Sequence, residues 1–220
     1  VQRLTEGIHK FRNEEFGDYE ELFQRLAREG QNPHSLFITC SDSRVLAELI
    51  TQSKPGDLFV VKNVGNIVPP YNSSRAAVST GAAIEFAVEA LGVEDIVVCG
   101  HSQCGAMRAL LDEPDLSRMP NLEEWLVQAR PVRETVLQRY QHLEAAEHRY
   151  NAAAEENVLF ALENLKTFPC VQRRLEEGTL RLHGWFFKIA GAELHAYDPH
   201  TRQFVPFGEE WQPDLDLPAP

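Results

Sequence analysis

Long apolar runs are missing from this sequence. None approaches the roughly 18 residues that a membrane-crossing helix needs, and the opening residues carry no signal-peptide pattern. Basic residues are also in short supply: Lys and Arg number 21 against 33 Asp and Glu, a formal net charge of -12. So acidic a surface repels phosphate backbones and speaks against nucleic acid as a partner. Four cysteines in 220 residues are too few for a disulfide scaffold and fit a reducing compartment, or metal or catalytic use. These shortages predict a soluble, acidic, cytoplasmic protein with neither membrane nor nucleic acid to bind. The length itself suits one domain with a full core.

What is present alternates between two hydrophobic periods. Leu4, Ile8 and Phe11 share a helical face, and Leu22, Phe23 and Leu26 repeat it after Gly17-Asp18, which predicts two helices forming an N-terminal arm over about residues 1–30. Then come short runs rich in branched and aromatic residues: SLFITC (35–40), LFVVKN (58–63), IVVCG (96–100) and LRLHGWFF (180–187). Such runs, separated by helical segments, read as buried strands of a parallel sheet. The helices between them show as stripes, one through Ala82, Phe86 and Leu91 and one from Leu122 to Tyr140 that Pro131 interrupts. A third, through Val158, Leu162 and Leu165, ends before Pro169. The expected fold is α/β: a mostly parallel central sheet of four strands plus an edge strand, flanked by helices. Residues 1–208 read as a single domain, and 209–220, with four acids, three prolines and no base, as an extended tail.

Two segments carry the chemistry, and each directly follows a buried strand: CSDSR (40–44) and CGHSQCG (99–105). In open α/β sheets, sites form beyond the carboxyl ends of strands, so Cys40, His101 and Cys104 converge if those strands are neighbours. Two thiolates and an imidazole make a three-ligand zinc set that leaves the fourth tetrahedral position free, as catalytic zinc requires. The His-x-x-Cys spacing at a helix start puts both donors on one side, and the helix N-terminus favours the Cys104 thiolate. Taken singly, a Cys ending a strand is more often core and a His more often surface; the two flanking glycines and the charged triplet reverse that balance. Cys99 and Cys170 stay with the core. Asp42 either binds the metal or accepts a hydrogen bond from whatever fills the fourth position, and Arg44 can clamp it bidentately. An ion pair capping the next helix is compatible with both. A redox pairing of Cys40 with Cys104 lacks the Cys-x-x-Cys signature.

These residues resemble those of the β-class carbonic anhydrases. CSDSRV and CGHSQCGAM match the two metal motifs, PGDLFVVKN (55–63) and GNIVPPY (65–71) the segment between, and LHGWFF (182–187) the last core strand. The likeness spans roughly residues 1–208 and is strongest to bacterial and cyanobacterial, β-carboxysomal members. It implies Cys40, His101 and Cys104 as ligands of one Zn2+ per subunit and Asp42–Arg44 as the catalytic dyad. It also implies substrate contacts at Gln31, Phe59, Val64, Phe86 and Gly105. Phe37, where members with a noncatalytic bicarbonate site carry Trp, favours the plant-like type with an open zinc site.

The activity implied is reversible hydration of CO2 to bicarbonate and a proton by zinc-bound hydroxide, rising on the alkaline side because two thiolates donate more charge than imidazoles. Alternatives on the same fold are CS2 or COS hydrolysis and a zinc-bound assembly component without catalysis. A homodimer or higher oligomer is implied, with a carboxysome scaffold as a further partner and a carboxysomal location as the alternative to free cytoplasm. Four departures stand out: Phe86 for a usual Tyr, Lys62 for a usual Arg, Leu46-Ala47 for a Pro-containing pair, and Arg75, Ala76 and Ala77 in a stretch that is commonly glycine-rich. The sequence identifies no proton shuttle: His34, His183 and His195 are equal candidates, and a structural role is the first expectation for each.

Overall fold

The computed structural model describes residues 1–73 and 78–208. Arg75, Ala76 and Ala77 and the acidic tail lie outside the described residues. In chain order the elements are α1 (Gln2–Lys10), a π-helical segment (Phe11–Glu15), α2 (Phe16–Glu29), β1 (Ser35–Cys40), α3 (Ala47–Thr51), β2 (Leu58–Asn63) and a turn (Val64–Asn66). Then follow α4 (Val78–Glu85), a second π segment (Phe86–Ala90), β3 (Asp95–His101), α5 (Gly105–Asp112), α6 (Pro120–Val127), α7 (Arg130–Arg139), α8 (Ala146–Leu165) and α9 (Pro169–Glu176). β4 (Arg181–Lys188), β5 (Glu193–Asp198) and β6 (Gln203–Pro206) complete the sheet.

The six strands lie in the order β2-β1-β3-β4-β5-β6. The first four are mutually parallel, and β5 and β6 run antiparallel to their neighbours. The four-strand parallel core is as expected; two antiparallel strands rather than one extend it, because QFVP (203–206) is too short and too weakly alternating to register as a strand. The β1–β2 crossover goes to one side of β1 and β3 lies on the other. The order therefore reverses between β1 and β3, where an open α/β sheet leaves a crevice.

β1 buries all six of its residues, since both faces are covered. On one face Leu36, Ile38, Ile96 and Val98 meet Val158, Leu162 and Leu165 of α8; on the other Phe37, Val97 and Cys99 meet Phe187, with Trp185 packed edge-on against Phe37. Each such side chain contributes about 1.5–3 kcal/mol through burial. α8 approaches the sheet closely over two glycines: a Cβ at Gly100 would lie 2.9 Å from Val158 Cγ2, and one at Gly184 3.0 Å from Val158 Cγ1. Pro131 falls in the first turn of α7, so it starts a helix after the break as its fixed φ allows.

The N-terminal arm differs from expectation. Gly17-Asp18 is no break; both residues lie inside α2, and the helical path runs on through the π segment at Phe11–Glu15. Phe11 packs edge-on against Phe16 and Phe23 across it, and those two rings meet at a tilt. None of the arm's residues is buried, and Leu4 and Ile8 are 73% and 66% exposed. Among the described residues no helix is long and apolar enough to cross a membrane.

Candidate active site

Cys40 ends β1 and His101 ends β3, on adjacent strands at the sheet's point of reversal. Thr39 Oγ1 ties the two strands by donating to the Cys99 carbonyl at 2.9 Å. Beyond His101 the chain turns through Gln103 in the left-handed region (φ 57°), where its N–H donates to Asn151 Oδ1 at 3.0 Å. That bend delivers Cys104 as the N-cap of α5. The sulfurs of Cys40 and Cys104 and a ring nitrogen of His101 all lie within 4.8 Å of one another, and all three residues are buried. Among the described residues this is the one cluster of its kind.

The donors are prepared for a cation. His101 Nδ1 lies 2.9 Å from the Ser102 carbonyl, which needs the proton on that nitrogen and leaves the Nε2 lone pair facing the sulfurs. Nε2 is buried and has no hydrogen-bond partner. The two thiols compete for a proton. The neighbouring Cys104 leads the groups that hold Cys40 well below the usual thiol range against its burial, while Cys40 and burial drive Cys104 up. Gly65 N–H donates to Cys40 Sγ at 3.3 Å, and the N–H groups of Met107 and Ala106 at the start of α5 favour a charged Cys104. An orphaned imidazole nitrogen beside two crowded sulfurs is a donor set that a borderline-soft divalent ion such as zinc satisfies. All four cysteines are unpaired; Cys99 lies fully buried in β3 with its thiol pushed up to about 12 by burial, and Cys170 lies in the first turn of α9.

Asp42 stands at the rim, its Oδ2 3.9 Å from His101 Nε2. Both carboxylate oxygens are committed to Arg44: Nε donates to Oδ1 at 2.9 Å, Nη2 to Oδ2 at 2.8 Å, and the Arg44 N–H to Oδ1 at 2.9 Å. Those bonds hold the Asp42 carboxyl well below the usual carboxylate range. Lys62 reaches under this turn and donates to the carbonyls of Val45 at 2.6 Å and Asp42 at 3.3 Å. The residue that replaces a usual Arg thus supports the dyad's backbone as a point donor.

The expected substrate contacts divide into two groups. Val64 adjoins the cluster, since Asn63 pairs with Cys40 in the sheet, and Gly105 follows Cys104 directly. Gln31, Phe59 and Phe86 do not come to it. Phe59 pairs with Leu36, four residues before Cys40 and so roughly 13 Å back along the strand. Phe86 packs against Phe59 at 5.8 Å between ring centroids, and Gln31 lies exposed ahead of β1. The three histidines are engaged elsewhere: His34 with Ser35 Oγ at 2.6 Å, His183 with Asp95 at 2.7 Å, and His195 with the Phe204 carbonyl at 3.5 Å.

Other supports escape sequence reasoning. Trp125 Nε1 donates to the Val64 carbonyl at 2.7 Å, and Asn157 Nδ2 to the Gly65 carbonyl at 2.9 Å. Farther along α8, Asn164 donates to Val68 at 2.8 Å. The available signal is three asparagines, at 151, 157 and 164, set along a helix whose stripe is otherwise apolar.

The family model for carbonic anhydrase matches residues 35–194. A carbonic anhydrase from Synechocystis is 47% identical over 93% of this chain and 74% of its own length. The solved β-carbonic anhydrase CcaA superposes with a TM-score of 0.89 at 46% identity, covering 94% of this chain and 98% of that one. One of two tetrameric β-carbonic anhydrases from Sordaria macrospora does so with a TM-score of 0.74 at 31% identity, over 89% and 92%. The likeness covers both metal-bearing loops and the sheet between them, and the chain belongs to the carbonic anhydrases, in their β-class.

Proposed function

We propose that Cys40, His101 and Cys104 hold the zinc, and that Asp42 with Arg44 directs the nucleophile, in this enzyme's reversible hydration of CO2 to bicarbonate and a proton. When bound, zinc supplies Lewis acidity that brings the pKa of water from ~15.7 towards neutrality, so hydroxide is available to CO2. Asp42, kept ionised by Arg44, is an acceptor only; it accepts a hydrogen bond from the nucleophile, which keeps its proton and is turned with a lone pair towards the carbon. Arg44 holds that carboxylate by two parallel bonds, so its aim is fixed as well as its charge. The observation that carries the reading is the buried two-sulfur, one-nitrogen cluster with a charged carboxylate 3.9 Å from it. A purely structural zinc with Asp42 as its fourth ligand is disfavoured, because both Asp42 oxygens are bonded to Arg44. The same pairing, with Phe37 in place of Trp, supports the plant-like, open type.

The pocket is completed by a second copy of the chain. Val64 and Gly105 serve their own site, whereas Gln31, Phe59 and Phe86 serve the neighbour's: Gln31 donates to a substrate oxygen, and the two phenyl rings wall in a nonpolar gas. An arm with no buried residue, a β2 edge without a strand partner among the described residues, and Phe86 at 48% exposure support a homodimer or a larger assembly. The working unit is one domain over residues 1–208 with the tail beyond it. The motif likeness to β-carboxysomal members supports a cytoplasmic site of action and, within it, a carboxysome with a scaffold protein as partner.

The test is stopped-flow CO2 hydration with zinc measured on the same sample. Asp42→Asn is expected to keep its zinc and lose at least about a hundredfold in kcat; near-wild-type turnover would remove the dyad. Cys104→Ser is expected to lose zinc, and full retention would remove it from the ligand set.

A further inference from the structure

The turn after β2 has a conformation that few residues adopt. Gly65 (φ 82°) and Asn66 (φ 44°) are consecutive left-handed residues, and a Cβ at position 65 would lie 2.8 Å from Ala106 Cβ. Side chains from three other elements hold its backbone in place. The peptide unit that joins Val64 to Gly65 is bonded at both ends: its carbonyl accepts from Trp125 Nε1 at 2.7 Å, and its N–H donates to Cys40 Sγ at 3.3 Å. The next carbonyl, that of Gly65, accepts from Asn157, which is 1% exposed.

We propose that Trp125 is a positioning residue for CO2 hydration, its indole N–H acting through the Val64–Gly65 peptide to hold and polarise the N–H bonded to the Cys40 sulfur. The inference rests on Cys40 being a zinc ligand, as argued above. Its physical basis is a series of donors and acceptors, indole N–H to carbonyl and amide N–H to sulfur, sharing one conjugated peptide. Bonds in such a series strengthen one another. A hydrogen bond to a ligating sulfur withdraws charge from it, so the sulfur donates less to the metal and more Lewis acidity remains for the substrate side. Trp125 sets the peptide plane from the carbonyl side, and Asn157 prevents the following residue from unwinding the turn. α6, which carries Trp125, contributes no residue to the metal cluster itself.

Trp125→Phe keeps an aromatic ring on α6 and removes the donor; Leu122→Ala weakens the packing of the same helix without touching the peptide. Two readouts separate positioning from packing: the sulfur-to-cobalt charge-transfer band of the cobalt-substituted enzyme, and kcat and KM for CO2 of the zinc enzyme. Trp125→Phe is expected to move the band to longer wavelength and to lower kcat roughly 2- to 10-fold, the worth of one neutral hydrogen bond, with KM unchanged. Leu122→Ala is expected to move neither. A Trp125→Phe enzyme that matches the wild type in band and kcat overturns the proposal, as does a Leu122→Ala enzyme that shifts both equally. Cobalt content of Cys40→Ser tests the underlying ligand assignment separately: full retention means that the assignment has failed, and the proposal with it.

Discussion

At the end of the sheet away from the metal cluster, Asp95 opens β3 with its carboxylate shared between two residues of β4. Arg181 donates through Nε and Nη2 at 2.8 Å each, and His183 Nε2 lies 2.7 Å away. Burial works to raise the Asp95 pKa, yet Arg181 and His183 outweigh it and hold the group well below the usual carboxylate range. A depressed folded-state pKa stabilises the protein at pH values above the unfolded one, and that stability is lost as pH falls through the folded value. Asp95→Asn is therefore expected to cost about 1–3 kcal/mol near neutrality. By urea denaturation it should also flatten the decline in stability between roughly pH 5 and 2. Residues of this kind differ in how far the sequence announces them. Cys40 and His101 are legible because chemically demanding side chains end buried runs, and Cys104 because it completes a His-x-x-Cys spacing flanked by Gly100 and Gly105. Trp125 and Asn157 are not, because their partners are backbone carbonyls, and no spacing records which carbonyl a side chain meets.

Strands and helices depend on how closely they approach one another. α8 crosses β3 and β4 where Gly100 and Gly184 stand, and at Gly100 an added methyl would also lie 3.1 Å from the Ala154 carbonyl oxygen, a backbone atom that cannot swing aside. Gly100→Ala is expected to destabilise the fold by about 1–3 kcal/mol through overpacking, read as a lower thermal midpoint. The same shift would displace His101, one residue on. The parallel strands are legible to within about a residue because burial on both faces leaves continuous apolar runs. β6 is hidden by its brevity, and the continuous helical arm by Gly17, which costs a helix little when the flanking turns can carry it.

Taken whole, the molecule keeps its metal donors at the carboxyl end of the sheet and three of its expected substrate contacts near the other end of β1 and β2. No periodicity within one chain says which end faces another copy, so this separation is visible only in three dimensions. It carries a genetic consequence. A Gln31→Ala chain keeps its cysteines and a Cys104→Ser chain keeps its glutamine, so on the proposed reading each is expected to be inactive alone and to supply what the other lacks. Unfolded together and refolded, equal amounts of the two should form hybrids with one sound site and one doubly defective site. Random pairing then restores about a quarter of wild-type turnover. If Gln31 served its own chain, the blend would be as inactive as its parts.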